Sequence, residues 1–128
     1  MGQPAAKKGD RIVATDMHIV ILPGPAPTPL PHPYTGIIDG ALSGNVNIMG
    51  QPAATVDSTA TNTPGHVPQG GLFQKPPHNK GTIVAGSTSV KINGKPAARS
   101  GDAAKTCNDP ADLPVGKVIA AGTVFIGG

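Results

Sequence analysis

Tryptophan and glutamate are missing from this 128-residue chain, and large rings are nearly so: Tyr34, Phe73 and Phe125 are the only ones. Aromatic side chains usually dominate core burial, so any core must be built from Val, Ile and Ala. A core of that kind is thin, and thin cores need a further constraint such as a metal or a partner. No window carries a sustained helical stripe, which excludes a helical fold and leaves an all-β, loop-rich domain. A single cysteine, Cys107, excludes an intrachain disulfide. No apolar run reaches the length of a membrane helix. Met1-Gly2-Gln3-Pro4 lacks the apolar stretch of a signal peptide, and Ala6 stands where a myristoylation signal carries Ser or Thr. The expectation is a cytosolic origin with no stable membrane anchoring, compatible with export by a route that needs no signal peptide. The formal charge is only +3, its Lys and Arg are scattered, and no aromatics interleave with them, which argues against nucleic acid as a partner.

What is present is glycine and proline, eighteen and fifteen residues, placed as punctuation between periodic apolar phrases. Pro-Ala-Ala recurs as Pro4-Ala5-Ala6, Pro52-Ala53-Ala54 and Pro96-Ala97-Ala98. Val46-x-Ile48-x-Gly50 and Val90-x-Ile92-x-Gly94 precede the second and third copies, and Val124-x-Ile126-x-Gly128 closes the chain without a triplet after it. Each unit reads as strand, tight turn, strand and long loop, with Val and Ile sharing one face at period two. Three such units predict one domain over 1–128 with approximate threefold symmetry, its repeats spanning roughly 1–40, 41–85 and 86–128. The return strands run toward Asp10, Asp57 and Asp102, the middle copy one position short. Between Leu22 and Pro33 every odd position is proline, which predicts a stiff polyproline strut.

The loops carry the metal-capable residues. His18 and His66 each lie fourteen positions after the proline of their triplet, and Cys107 lies eleven after Pro96. His32 and His78, each preceded by proline, stand before the next strand pairs. Repeat symmetry brings all five to the same end of the unit. Three neutral imidazoles and a thiolate make a closed tetrahedral set for Zn²⁺, and Fe(II) or Ni²⁺ could use the same donors. The prolines flanking His32 favour the set His18, His32, His66 and Cys107, with His78 in reserve. A closed set leaves no place for substrate, so the metal is structural. No catalytic residue is expected. A nucleophilic Cys107 with a histidine base is the enzyme alternative, and its flanks offer no activating group beyond Lys105.

Taken together, Pro96-Ala97-Ala98-Arg99, Ser100-Gly101-Asp102 and the preceding Gly86 to Lys95 phrase resemble the PAAR-repeat family, the tips of type VI secretion spikes. Lys7 and Thr55 replace the arginine in the other two copies. The resemblance implies a small cone of short strands around a pseudo-threefold axis. Zn²⁺ bound by three His and one Cys sits near the vertex, and a flat base docks on a trimeric VgrG-like β-helix, one tip per trimer. The implied role is mechanical: to sharpen the spike, help pierce a target envelope and deliver effectors. The chain would start in the bacterial cytoplasm and be secreted on firing. Starting near its first triplet and ending after its last strand, it is expected to carry no toxin extension and to act alone or recruit a separate effector. A tip of a phage-like contractile particle and a zinc-binding adaptor are the alternatives. The partner-binding residues are not legible at this level.

Overall fold

The computed structural model describes residues 2–21, 27–63, 65–68, 71–109 and 111–127, and every regular element among them is a β-strand. In chain order they are β1 (Gln3–Pro4), β2 (Arg11–Ile21), β3 (Thr28–Gly40), β4 (Asn47–Ile48), β5 (Gln51–Pro52), β6 (Thr59–Asn62) and β7 (Leu72–Phe73). They continue as β8 (Lys80–Ile83), β9 (Lys91–Ile92), β10 (Lys95–Pro96), β11 (Ala103–Thr106), β12 (Leu113–Ile119) and β13 (Phe125–Ile126).

Three two-stranded ladders form one end of the molecule. β4 pairs with β5 across Met49-Gly50, and β9 with β10 across Asn93-Gly94. Both turn residues have positive φ in each hairpin (51° and 82°, 52° and 81°), the geometry of a two-residue turn whose twist matches the strands. The third ladder joins the two ends of the chain. β1 lies against β13 with Gln3 opposite Ile126, as Gln51 lies opposite Ile48 and Lys95 opposite Ile92. Ile48, Ile92 and Ile126 are buried with Ala5, Ala53 and Ala97 in one small core.

The triplets lie directly above that core. Ala6 N–H donates to the Ala98 carbonyl, Ala98 to Ala54, and Ala54 back to Ala6, at 2.9, 3.1 and 3.0 Å. A second closed ring runs from Lys8 to Pro52, Val56 to Pro96 and Ser100 to Pro4. The first alanine of each triplet packs into the lower core and the second into an upper core with Ile12, Ile38, Ile83 and Val118. All six are at most 3 % exposed. Small methyl groups suit a place where three segments of the chain approach this closely.

The hydrogen bonds align the repeats differently from the aspartates. Gly9, Asp57 and Gly101 occupy equivalent places, donating to Ile38, Ile83 and Val118 with φ of 93°, 80° and 91°. Ser58, not Asp57, therefore matches Asp10 and Asp102. Its Oγ accepts from Thr55 N as the aspartate oxygens accept from Lys7 N and Arg99 N. The departures from arginine are compensated in pairs: Lys7 with Asp10, Arg99 with Asp102, and neutral Thr55 with neutral Ser58.

Above the rings, β2, β3, β6, β8, β11 and β12 close into an antiparallel barrel, with β12 returning to β2. Where the strands close on one another, no edge is left to protect. Two strands are long rather than short. β2 has eleven residues and β3 thirteen, and β3 takes in Pro29, Pro31 and Pro33, so this half of the expected strut is strand. The rest of it, residues 22–26, lies outside the described residues. The prolines sit opposite Ile19, Met17 and Thr15. Met17 N and Ile19 N turn away from β3 to Asn108 and Asp109, so these are non-hydrogen-bonded pairs. The missing proline donors face the side of β3 that β6 leaves uncovered before Gly36, where proline costs no ladder bond. Leu30, His32 and Tyr34 alternate with them and point inward. Tyr34 fills the barrel because Gly36 and Gly81 make room: a Cβ there would meet its hydroxyl at 2.5 and 2.7 Å.

Candidate metal centre

Strand alternation on β2 sends Ile12, Ala14, Asp16, His18 and Val20 to the same inward side. The first belongs to the apolar core and Asp16 and His18 to the far end of the barrel. His18 is eight residues from Asp10, roughly 26 Å along an extended strand. β3 places His32 directly opposite Asp16. His66 enters from the loop after β6, and Cys107 follows the last residue of β11. Three of the four expected donors, His18, His66 and Cys107, therefore meet with Asp16, and the His32 ring lies beside them. The ring centroids of His18, His32 and His66 are 4.8 to 5.6 Å apart, and Cys107 Sγ lies 3.4 Å from Asp16 Oδ2.

Asp16 is the residue that sequence reasoning missed. Its ligand atom and those of His18, His66 and Cys107 lie within 4.8 Å of one another. The carboxylate is fully buried and completely engaged. Oδ1 accepts from Thr106 Oγ1 and from Asn108 Nδ2, while Oδ2 accepts from His66 Nε2 at 2.9 Å and from Cys107 Sγ. The signal was available in the period-two run that also contains His18. Phe73 was also passed over. β7 pairs with the end of β2 and brings that ring to 5.5 and 5.3 Å from His18 and His32, where it shields the cluster. His78 lies apart, nearly half exposed, with Nε2 at 2.9 Å from Asp112 Oδ1.

Several polar atoms here have no partner among the described residues. Both ring nitrogens of His18 and Nε2 of His32 are buried without a hydrogen bond. Buried polar groups are otherwise almost always satisfied. His32 Nδ1 donates to the Leu30 carbonyl at 2.9 Å, which leaves Nε2 as a lone pair, the arrangement typical of a metal-ligating histidine. Asp109 Oδ2 stands 3.6 Å from His18 Nδ1 and can orient that ring in the same way. Burial, then the neighbouring His66, lowers the His18 pKa, so the ring is neutral. Burial, then Asp16, pushes the Cys107 thiol up to about 12. Imidazoles, a thiol and orphaned nitrogens at one buried point fit a soft or borderline divalent metal. An open pocket of about 370 Å³, lined in part by Pro33, Thr35 and Asn62, reaches the cluster at His66.

Residues 73–128 match the family model of the PAAR motif. This segment carries a PAAR motif. A search of curated proteins finds no match to it. The PAAR match begins at Phe73 and takes in the third triplet, His78 and Cys107. His18, His32 and His66 lie before it, tied in through the closed hydrogen-bond rings and the barrel.

Proposed function

We propose that this protein is the sharpening tip of a type VI secretion spike, docked by its hairpin end on a trimeric β-helix of the VgrG kind. The observation that carries the reading is the closed ring of Ala6, Ala54 and Ala98 in a chain that matches a family known from this secretion system. The ring gives one chain the symmetry of a trimeric partner. Around it the three ladders expose apolar groups that a thin core does not cover: Met49, Val90, Val124 and Phe125 are 36 to 60 % exposed. Stacking on the end of a β-helix removes that surface from water.

At the opposite end, His18, His32, His66 and Cys107 hold Zn²⁺. The bound metal supplies cross-linking of loops with little core of their own, a contribution to folding rather than to chemistry. The role is mechanical, not enzymatic. A thiol pushed up to about 12 carries almost no thiolate at neutral pH and is a poor nucleophile. The chain resides in the cytoplasm before firing and leaves with the spike.

Native mass spectrometry of the chain with its cognate trimer tests the reading. One tip per three spike subunits is expected, and Phe125→Asp should abolish the complex while leaving zinc bound. A chain that stays free beside an intact trimer contradicts it.

A further inference from the structure

We propose that Asp16 is the anionic wall of the metal centre, a positioning residue that neutralises the site without being one of its ligands. The inference rests on the reading of His18, His32, His66 and Cys107 as a zinc set. In that set the ion contributes two positive charges, the thiolate one negative and the imidazoles none, so the centre keeps a charge of +1. A net charge in a buried site is costly unless it is paired. Asp109 approaches only His18, at 3.6 Å from Nδ1. Asp16 is the fully enclosed carboxylate, with Oδ2 turned to both His66 Nε2 and Cys107 Sγ.

Its other oxygen is held by the protein itself. Oδ1 is held by the Thr106 hydroxyl and the Asn108 amide, and Asn108 is anchored in turn by the Thr106 carbonyl and Met17 N–H. This bracket fixes the carboxylate on the wall between β2 and β11. Oδ2 lies between two of the donors and accepts the hydrogens they carry before a metal arrives. Outer partners of this kind typically change metal affinity by about 10- to 100-fold. Repeat symmetry does not mark Asp16 as a carboxylate: the residues twelve positions after each triplet proline are Asp16, Pro64 and Asn108.

Asp16→Asn separates the roles. The amide keeps an oxygen for Thr106 and Asn108, and on the side facing the donors it removes the charge and replaces an acceptor with an N–H donor. Zinc release from the loaded protein to a chelating dye should accelerate about 10- to 100-fold. The Co²⁺-substituted variant should keep the wild-type four-coordinate absorption and its thiolate charge-transfer band. Ile12→Val, which loosens the same barrel away from the metal, is the control and should release zinc at the wild-type rate. Unchanged release in Asp16→Asn, a changed Co²⁺ ligand field, or equal acceleration in Ile12→Val would each overturn the proposal. Wild-type protein that takes up no zinc would overturn the zinc reading as well, which distinguishes that failure from the others.

Discussion

Ala6 donates its backbone N–H to the carbonyl of Ala98 at 2.9 Å, joining the first triplet to the third across 92 positions of sequence. With the bonds from Ala98 to Ala54 and from Ala54 to Ala6 it forms a closed ring between two apolar cores. The ring makes the triplets the element that holds base and vertex in register.

Added volume at the ring should therefore be felt strongly. Ala98→Val places two methyl groups at a point of 0 % exposure and should cost about 1–3 kcal/mol by overpacking. Urea denaturation of the zinc-loaded protein measures it. A variant as stable as wild type would mean that the ring tolerates larger side chains.

The turn before each barrel strand depends on backbone conformation rather than space. A Cβ at Gly101 meets nothing within 4 Å, yet its φ is 91°. Gly101→Ala should cost about 1–2 kcal/mol, and Gly101→Asn less, since Asp57 already occupies the equivalent place at φ 80°. Gly44→Ala, equally free of neighbours and without positive φ, should be neutral or stabilising by up to about 1 kcal/mol. Thermal melts compare the three, and equal losses at Gly101 and Gly44 would exclude a backbone cause.

Much of this was legible in the sequence. Repeat spacing located the hairpins and brought His18, His32, His66 and Cys107 to one end, because those patterns are local and repeat-encoded. The ring of alanine hydrogen bonds was not legible, since it joins residues far apart in the chain. Asp57 misled because aspartate tolerates the positive φ that glycine serves elsewhere, which disguised Ser58 as the true counterpart of Asp10. The prolines of β3 read as a strut because their period of two also suits a strand with one uncovered side. Asp16 escaped because its partners, Thr106, Asn108 and Cys107, come from the other end of the chain.

Two histidines competed for one place, and their surroundings differ. His32 is buried with Nε2 unpartnered, whereas His78 is exposed beside Asp112. Elemental analysis should find about one zinc per chain in His78→Ala, as a closed structural site requires, and little in His32→Ala. The reverse pattern would exchange their roles.

Protonation couples to metal binding and to stability. In the metal-free protein Cys107 keeps its proton up to about pH 12, so zinc must displace it, and apparent affinity should rise about tenfold per pH unit above neutrality. Metal-free stability follows both shifted groups. The raised Cys107 contributes stability that is full below its ordinary value of 9.0 and is lost as pH climbs toward about 12. The lowered His18 contributes stability that is present above its ordinary value of 6.5 and is lost as pH falls below it. Calorimetry in buffers of different ionisation enthalpy should count about one proton released per zinc at pH 7. No release would mean that the thiol is not a ligand.

The proposed centre closes three imidazoles and one thiolate around a single metal at the vertex. X-ray absorption at the zinc edge of the purified protein tests it most directly. The expected result is a four-coordinate shell of three nitrogens at about 2.0–2.1 Å and one sulfur at about 2.3 Å. A shell without sulfur, or one with open water positions, would contradict it.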